Sequence, residues 1–235
     1  KDSDGDGVGD NVVCNNTSVS AKLSKDSTLI HEARLVVANP ASNKNQQTFV
    51  RFVNPSNQNT KVELYGTDDN GVSSKSLPIS FDLAPGESKQ ITTQDLENGN
   101  GGKGLGSFMC NGTGKWQITA RSSMPIKIMG LIRTPDGFLT GLTDVVPVKS
   151  GSNIFYFANP ASNTVQQTFL RVVNNSAIQS GRVTITAIDD LGIAATGSVS
   201  FSLMENSSKQ MTAQDLENGN EAKGLTGKFG DGTGK

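Results

Sequence analysis

The sequence predicts an all-β chain: tandem antiparallel β-sandwiches preceded by an acidic loop segment. Three observations predict it. Hydrophobic residues alternate with a period of two, turn sequences separate the alternating runs, and the chain repeats itself.

The repeat sets the organisation. "ANPASNKNQQTFVRFVN" (38–54) returns as "ANPASNTVQQTFLRVVN" (158–174), "SFDL" (80–83) as "SFSL" (200–203), "QDLENGN" (94–100) unchanged at 214–220, and "GTGK" (112–115) at 232–235. The offset is 120 residues throughout, except that "DDNG" (68–71) and "DDLG" (189–192) lie 121 apart, so one residue is inserted before that stretch and one lost after it. Such length changes fall in loops. The resulting plan is a head at 1–28, a first repeat at 29–148 and a second at 149–235. Nothing in the second copy matches 116–148, so the chain is either cut within a repeat or completed by something else.

Each element follows from its own residues. Val62 and Leu64 alternate with Lys61, Glu63 and Tyr65, and the second copy matches them with Val183, Ile185 and Ala187 against Arg182, Thr184 and Thr186. Ile79, Phe81 and Leu83 alternate with Ser80 and Asp82, as do Val199, Phe201 and Leu203 with their neighbours. Trp116, Ile118 and Ala120 alternate with Gln117, Thr119 and Arg121. Each run reads as a strand with one wet face. "DDNG" reads as a hairpin turn with positive φ at Asn-Gly, and "NPSNQN", "APGES" and "TPDG" as further turns. "TTQDLENG" and "TAQDLENG" place a Thr cap, an acid three residues later and a closing Gly around one helical turn. About seven strands per repeat favour two packed sheets over a barrel.

Bulk properties exclude several function classes. Net charge is −1, and the pI is near 5.9, so there is no general attraction to nucleic acid or anionic membrane. No apolar run is long enough to insert in a membrane. Residues 1–20 carry no signal-peptide pattern, although a mature form could have lost one. The cysteines are Cys14 and Cys110, which could pair or stay free; Cys110 has Gly230 as its counterpart, so a bridge is no part of the shared repeat.

The head opens "KDSDGDGVGDN". Carboxylates at alternating positions repel unless a cation lies between them, and Ca²⁺ accepts six to eight oxygen ligands in flexible geometry. Asp2, Asp4 and Asp6 converge on one point, glycine permits the turn, the Val8 carbonyl faces the ion, and Asp10 adds an oxygen or holds a water. Val13 stands where an EF-hand needs its bidentate Glu, so this is not a complete EF-hand. A solvated acidic linker is the alternative. The stretch resembles the calcium repeats of thrombospondin type 3, Asp-x-Asp-x-Asp-Gly-x-x-Asp, over residues 2–11. The resemblance implies Ca²⁺ at Asp2, Asp4, Asp6, the Val8 carbonyl and Asp10. Millimolar Ca²⁺ outside cells suits such sites. The repeats, through "TFLRVVN", "QDLENGN" and "GTGKW", resemble the tandem Ig-like β-sandwich repeats of large secreted or surface proteins of bacteria. That likeness implies an extracellular or cell-surface location and no particular chemistry.

A search for a catalyst ends without one. His31 is the sole histidine and has no counterpart in the second repeat, and neither cysteine sits in a nucleophile context. "GTGK" lacks the phosphate-loop pattern, since Met109 stands where a glycine is needed and Trp116 where Ser or Thr is needed. The repeated acids (Asp68, Asp69, Asp95, Glu97 and their copies) lie in turn and cap patterns that explain them, with glycoside hydrolysis and secondary Ca²⁺ binding as rivals. Aromatics make up 6% of the chain, so Trp116 reads as core, and Tyr65 and Tyr156 as weak candidates for sugar contact. The expected function is non-catalytic and structural: a calcium-stiffened stalk or a filament subunit that self-associates or joins other surface components, with strand complementation as a route to assembly. The alternative is an adhesin or carbohydrate-binding module of a larger secreted protein.

Overall fold

The computed structural model describes residues 26–74, 78–137, 139–143, 154–155 and 158–230. The described residues are mostly antiparallel β-strand, with two short α-helices and two 3-10 turns. The chain divides into unit 1, Lys1–Val146, and unit 2, Pro147–Lys235.

Unit 1 contains β1 (His31–Ala38), β2 (Gln47–Val53), β3 (Thr60–Thr67), β4 (Ile79–Leu83), β5 (Ser88–Thr92), α1 (Thr93–Asn98), β6 (Trp116–Ser122), β7 (Lys127–Arg133) and β8 (Leu139–Thr143). They form two four-stranded sheets, ordered β1-β6-β3-β4 and β5-β2-β7-β8. The inward side chains interlock in one core. Leu35, Val62 and Ile118 come from the first sheet, and Val50, Phe52 and Ile128 from the second. Phe52 and Phe81 meet edge to face with centroids 5.5 Å apart. This is the sandwich-like arrangement expected of period-two strands with one apolar face each.

Unit 2 contains β9 (Phe169–Val173), β10 (Gly181–Ile185), β11 (Val199–Leu203), β12 (Ser208–Thr212) and α2 (Ala213–Asn218). By the repeat these match β2, β3, β4, β5 and α1. β10 pairs with β11, and β12 with β9. Val199, Phe201, Leu203, Met211, Leu216 and Leu225 form a smaller core, with Leu170, Val172, Val183 and Ile185 only partly buried against it.

The turns are built the same way twice. Asn54 donates from Nδ2 to the carbonyls of Gln58, Leu83 and Ala84 at 2.7, 3.2 and 3.0 Å. Asn174 donates to Gln179, Leu203 and Met204 at 2.8, 3.4 and 2.9 Å. The inserted residue sits between Asn174 and Gln179, so the loop lengthens while its anchor holds. In "APGES", the Glu87 amide donates to the Ala84 carbonyl at 3.0 Å, and Gly86 has φ of 70°. Asn206 takes the place of that glycine with φ of 54°, a conformation asparagine tolerates better than most residues.

Two local expectations change. "DDNG" is closed by its first aspartate: Asp68 Oδ1 accepts from the amides of Asn70 and Val72, both at 2.9 Å, and only Gly71 takes a positive φ. The carboxylate replaces a backbone acceptor, so Asn70 need not adopt the left-handed region. Asp189 does the same for Leu191 and Ile193. The second change is on β3, whose outer face is not wet. Glu63 and Tyr65 are both 6% exposed, and the Tyr65 hydroxyl donates to Glu63 Oε2 at 2.8 Å. Period-two alternation shows which side a residue faces, not whether that side is covered.

Candidate functional site

Two of the repeated acids, Asp95 and Glu97, lie on the short helix α1, and their copies Asp215 and Glu217 lie on α2. Thr92 caps α1 and its hydroxyl accepts from the Asp95 amide at 3.1 Å. Asp95 Oδ2 accepts the Thr92 amide at 2.8 Å and Lys103 Nζ at 2.5 Å, and Asp95 Oδ1 accepts Asn100 Nδ2 at 2.6 Å. Burial disfavours the charge on Asp95, but the Lys103 ammonium, the Asn100 amide and Thr92 outweigh it and hold the carboxyl below its ordinary range. Asp215 repeats the frame with Thr212, Asn220 and Lys223. There too burial is outweighed by the Lys223 ammonium, the Thr212 amide and the Asn220 amide, and the pKa falls to about 2. Lys89 donates to the Lys103 carbonyl at 3.1 Å and lies 5.4 Å from the Phe81 ring centroid. Lys209 bonds the Lys223 carbonyl and lies over Phe201 in the same way.

Glu97 links the helix to the rest of unit 1. It is 3% exposed. Its Oε1 accepts Trp116 Nε1 at 2.7 Å, and its Oε2 accepts the Ala41 amide at 3.1 Å. One carboxylate thus ties α1, the loop after β1 and the start of β6. The chain beyond α1 folds back on it: Met109 and Cys110 donate their amides to the carbonyls of Leu96 and Glu97. Phe229 and Gly230 do the same with Leu216 and Glu217.

"GTGK" is a docking turn. The Thr113 amide donates to Asp68 Oδ2 at 2.9 Å, and the Lys115 amide to Asp69 Oδ2 at 2.8 Å. A Cβ on Gly114 would collide with the Asp69 carboxylate, and its φ is +78°. Glycine is required there by both space and backbone. Asp68 and Asp69 spend their oxygens on backbone donors, which leaves them poorly placed as a catalytic pair.

The remaining predicted residues fall as follows. Asp2, Asp4, Asp6, Val8, Asp10, Cys14 and Tyr156 lie outside the described residues. Among the described residues no group of three or more His, Cys, Asp or Glu is placed to hold a metal. His31 begins β1, an edge strand, opposite Ser122. Trp116 is core, as its alternation predicts. Tyr65 is buried and offers no exposed ring for a sugar, because its hydroxyl is turned onto Glu63. Cys110 is disulfide-bonded, and the sequence holds one other cysteine, Cys14. Its φ is 63°, in the left-handed region, and its counterpart Gly230 has φ of 77°. A cysteine there accepts a backbone cost of roughly 1 kcal/mol that glycine avoids.

Sequence reasoning missed the Glu97–Trp116 bond. A signal existed: Glu97 recurs as Glu217 in a block kept unchanged, at a helix position that capping does not require.

No protein-family model matches the chain, and no curated protein matches it significantly. Among solved structures, the chain is similar to the Thermotoga maritima 1070 crystal structure, at 12% identity and a TM-score of 0.31, over 48% of this chain and 91% of that one. It is similar to the Anabaena sensory rhodopsin transducer at 9% identity and a TM-score of 0.30, over 48% and 84%. Likenesses this distant carry no functional reading. Among the described residues no helix is long and apolar enough to cross a membrane.

Proposed function

We propose that this chain is a non-catalytic structural protein of the cell exterior, built from tandem Ig-like β-sandwich repeats with a calcium-stiffened head, and that it serves as a stalk or filament subunit. One observation carries this reading. The acids that the sequence offers as catalytic candidates are engaged in holding backbone, and three of them make matching backbone contacts in both units. Asp68 and Asp189 close turns, Asp95 and Asp215 lock caps, and Glu97 and Glu217 bind the amides of Ala41 and Ala161.

Two further features support the setting. A disulfide at Cys110 suits an oxidising compartment. Asp2, Asp4, Asp6, the Val8 carbonyl and Asp10 then supply the Ca²⁺ ligands. Filled, they turn a self-repelling acidic segment into a rigid one.

The test is calorimetry with X-ray scattering on the full chain. Millimolar Ca²⁺ is expected to release heat and to change the maximum dimension, and Asp4→Ala with Asp6→Ala abolishes both. A chain whose dimensions ignore Ca²⁺ would overturn the stiffened-head reading.

A further inference from the structure

The loop after β1 buries a side chain that the fold leaves without partners. Its sequence, "ANPASN", recurs unchanged at 38–43 and 158–163. Several polar groups of the loop are engaged. Thr48 Oγ1 accepts the Asn39 amide at 2.9 Å, and Glu97 Oε2 accepts that of Ala41 at 3.1 Å. Asn43 Oδ1 accepts the amides of Asn45 and Gln46 at 3.2 and 3.0 Å. The Asn39 side chain is the exception. It is 0% exposed, and neither its Oδ1 nor its Nδ2 meets a hydrogen-bond partner. Its counterpart Asn159 is buried as well, and its Oδ1 is likewise unpartnered. The bonds around it repeat too: Thr168 accepts the Asn159 amide at 2.9 Å, and Glu217 that of Ala161 at 2.8 Å.

The surroundings of Asn39 are polar and closed. Ala38 stands opposite Trp116 in the β1–β6 ladder, and Trp116 Nε1 donates to Glu97 Oε1 at 2.7 Å. The loop is thus tied to Thr48 of β2 and to Glu97 of α1, and Thr48, Glu97 and Trp116 are all buried with Asn39. This cluster has hydrogen-bonding capacity to spare. Each Glu97 oxygen takes one neutral donor and keeps a lone pair, and the Thr48 hydroxyl, which accepts from Asn39, keeps its own proton to give.

We propose that Asn39 anchors a buried water site beneath the β1–β2 loop. One ordered water accepts from Asn39 Nδ2 and donates to Oδ1, which leaves it a proton for an acceptor of the surrounding cluster. Chemistry selects this occupant over an ion. A cation would satisfy Oδ1 and leave Nδ2 bare. An anion would satisfy Nδ2, leave Oδ1 bare and share a closed space with the Glu97 carboxylate. Water alone both gives and takes. Buried waters make about three hydrogen bonds, to polar groups that otherwise have none. Without one, Asn39 would lose the hydration of a donor and an acceptor together. The site gives asparagine a reason to stand here in both copies, since leucine would fill similar space without the two polar atoms. It is independent of the head and of Ca²⁺.

The test is magnetic relaxation dispersion of the water oxygen on the full chain and on its Asn39→Leu variant. That substitution removes both polar atoms at similar volume, so the fold is expected to survive, as Trp116 fluorescence will report. The expected result is the loss of one long-lived water. Because the measurement follows oxygen, exchange of the Thr48 hydroxyl proton does not contribute. A second measurement needs no variant. In the nitrogen-labelled full chain, the Asn39 Nδ2 protons are expected to show NOE and ROE peaks of opposite sign to water, the mark of a water that tumbles with the protein. These peaks should persist when sodium is replaced by tetramethylammonium in the presence of a chelator. Three results would overturn the proposal. A folded Asn39→Leu chain could keep its full number of long-lived waters. The Asn39 side-chain protons could show no such water peaks. The Asn39 side-chain resonances could shift on exchange of the cation, which would make the occupant a metal ion.

Discussion

Units 1 and 2 share their turns, caps and carboxylate contacts almost atom for atom, yet they differ sharply in how completely their strands are buried. The capping box at Thr92–Asp95 recurs at Thr212–Asp215. The Asx turn at Asp68 recurs at Asp189. These devices span a few residues and need only those residues. Burial of Phe52 or Leu64 needs β6 and β7, which lie more than fifty residues downstream in the sequence. The difference separates what local sequence determines from what distant strands must supply.

The largest expected effect would erase the difference. Trp116→Ala removes the biggest side chain between the sheets and takes the donor from Glu97, leaving a buried carboxylate with one contact. Unit 1 is expected to lose about 4 kcal/mol. Hydrogen exchange in β2 and β3 should rise toward that of β9 and β10, with β11 and β12 unmoved. Unchanged exchange in β3 would mean that Trp116 is not what distinguishes the units.

The disulfide at Cys110 belongs to unit 1 alone, since Gly230 fills its place in unit 2. Reduction is expected to destabilise unit 1 by about 3 kcal/mol through the freed loop and to leave unit 2 unaffected. The chain has one tryptophan, in unit 1, so its fluorescence during urea unfolding reports that unit separately. A midpoint that ignores reductant would show that the bridge adds nothing to the comparison.

Most of this frame was legible in the sequence, and the rest was not for definite reasons. The caps, turns and strand phases are set by residues a few positions apart, so period and spacing revealed them. Trp116 declared itself core by its phase. Tyr65 and Glu63 did not, because alternation cannot report whether an outer face is covered. Asn-Gly predicts a positive φ at Asn70, but the Asp68 carboxylate supplies another way to close the turn. The Glu97–Trp116 bond joins residues nineteen apart on different elements, and no local pattern encodes it. The calcium ligands Asp2, Asp4, Asp6, Val8 and Asp10 are the reverse case: legible by spacing, and outside the described residues.

The smallest effect sharpens the comparison from the side of likeness. Asp95 and Asp215 sit in the same frame of threonine, asparagine and lysine, which borrows nothing from β6 or β7. Each carboxyl is lowered on folding, Asp215 from 3.8 to about 2. A group with a depressed folded pKa stabilises the protein above its unfolded pKa, and that contribution disappears as pH falls toward the folded value. Between about pH 4 and pH 2 unit 2 should therefore lose about 1 kcal/mol of stability once solvent screening of the lysine is allowed for, and unit 1 should lose stability in the same direction as the pH falls. Asp215→Asn is expected to flatten this acid loss in unit 2, and Asp95→Asn that in unit 1. Urea unfolding followed across that range, with exchange read separately in 88–98 and 208–218, makes the measurement. Equal losses would place the frame wholly within local sequence. A larger loss in unit 1 would mean that Trp116 and Glu97 reinforce Asp95 through α1, so that even the cap depends on the strands that close the core.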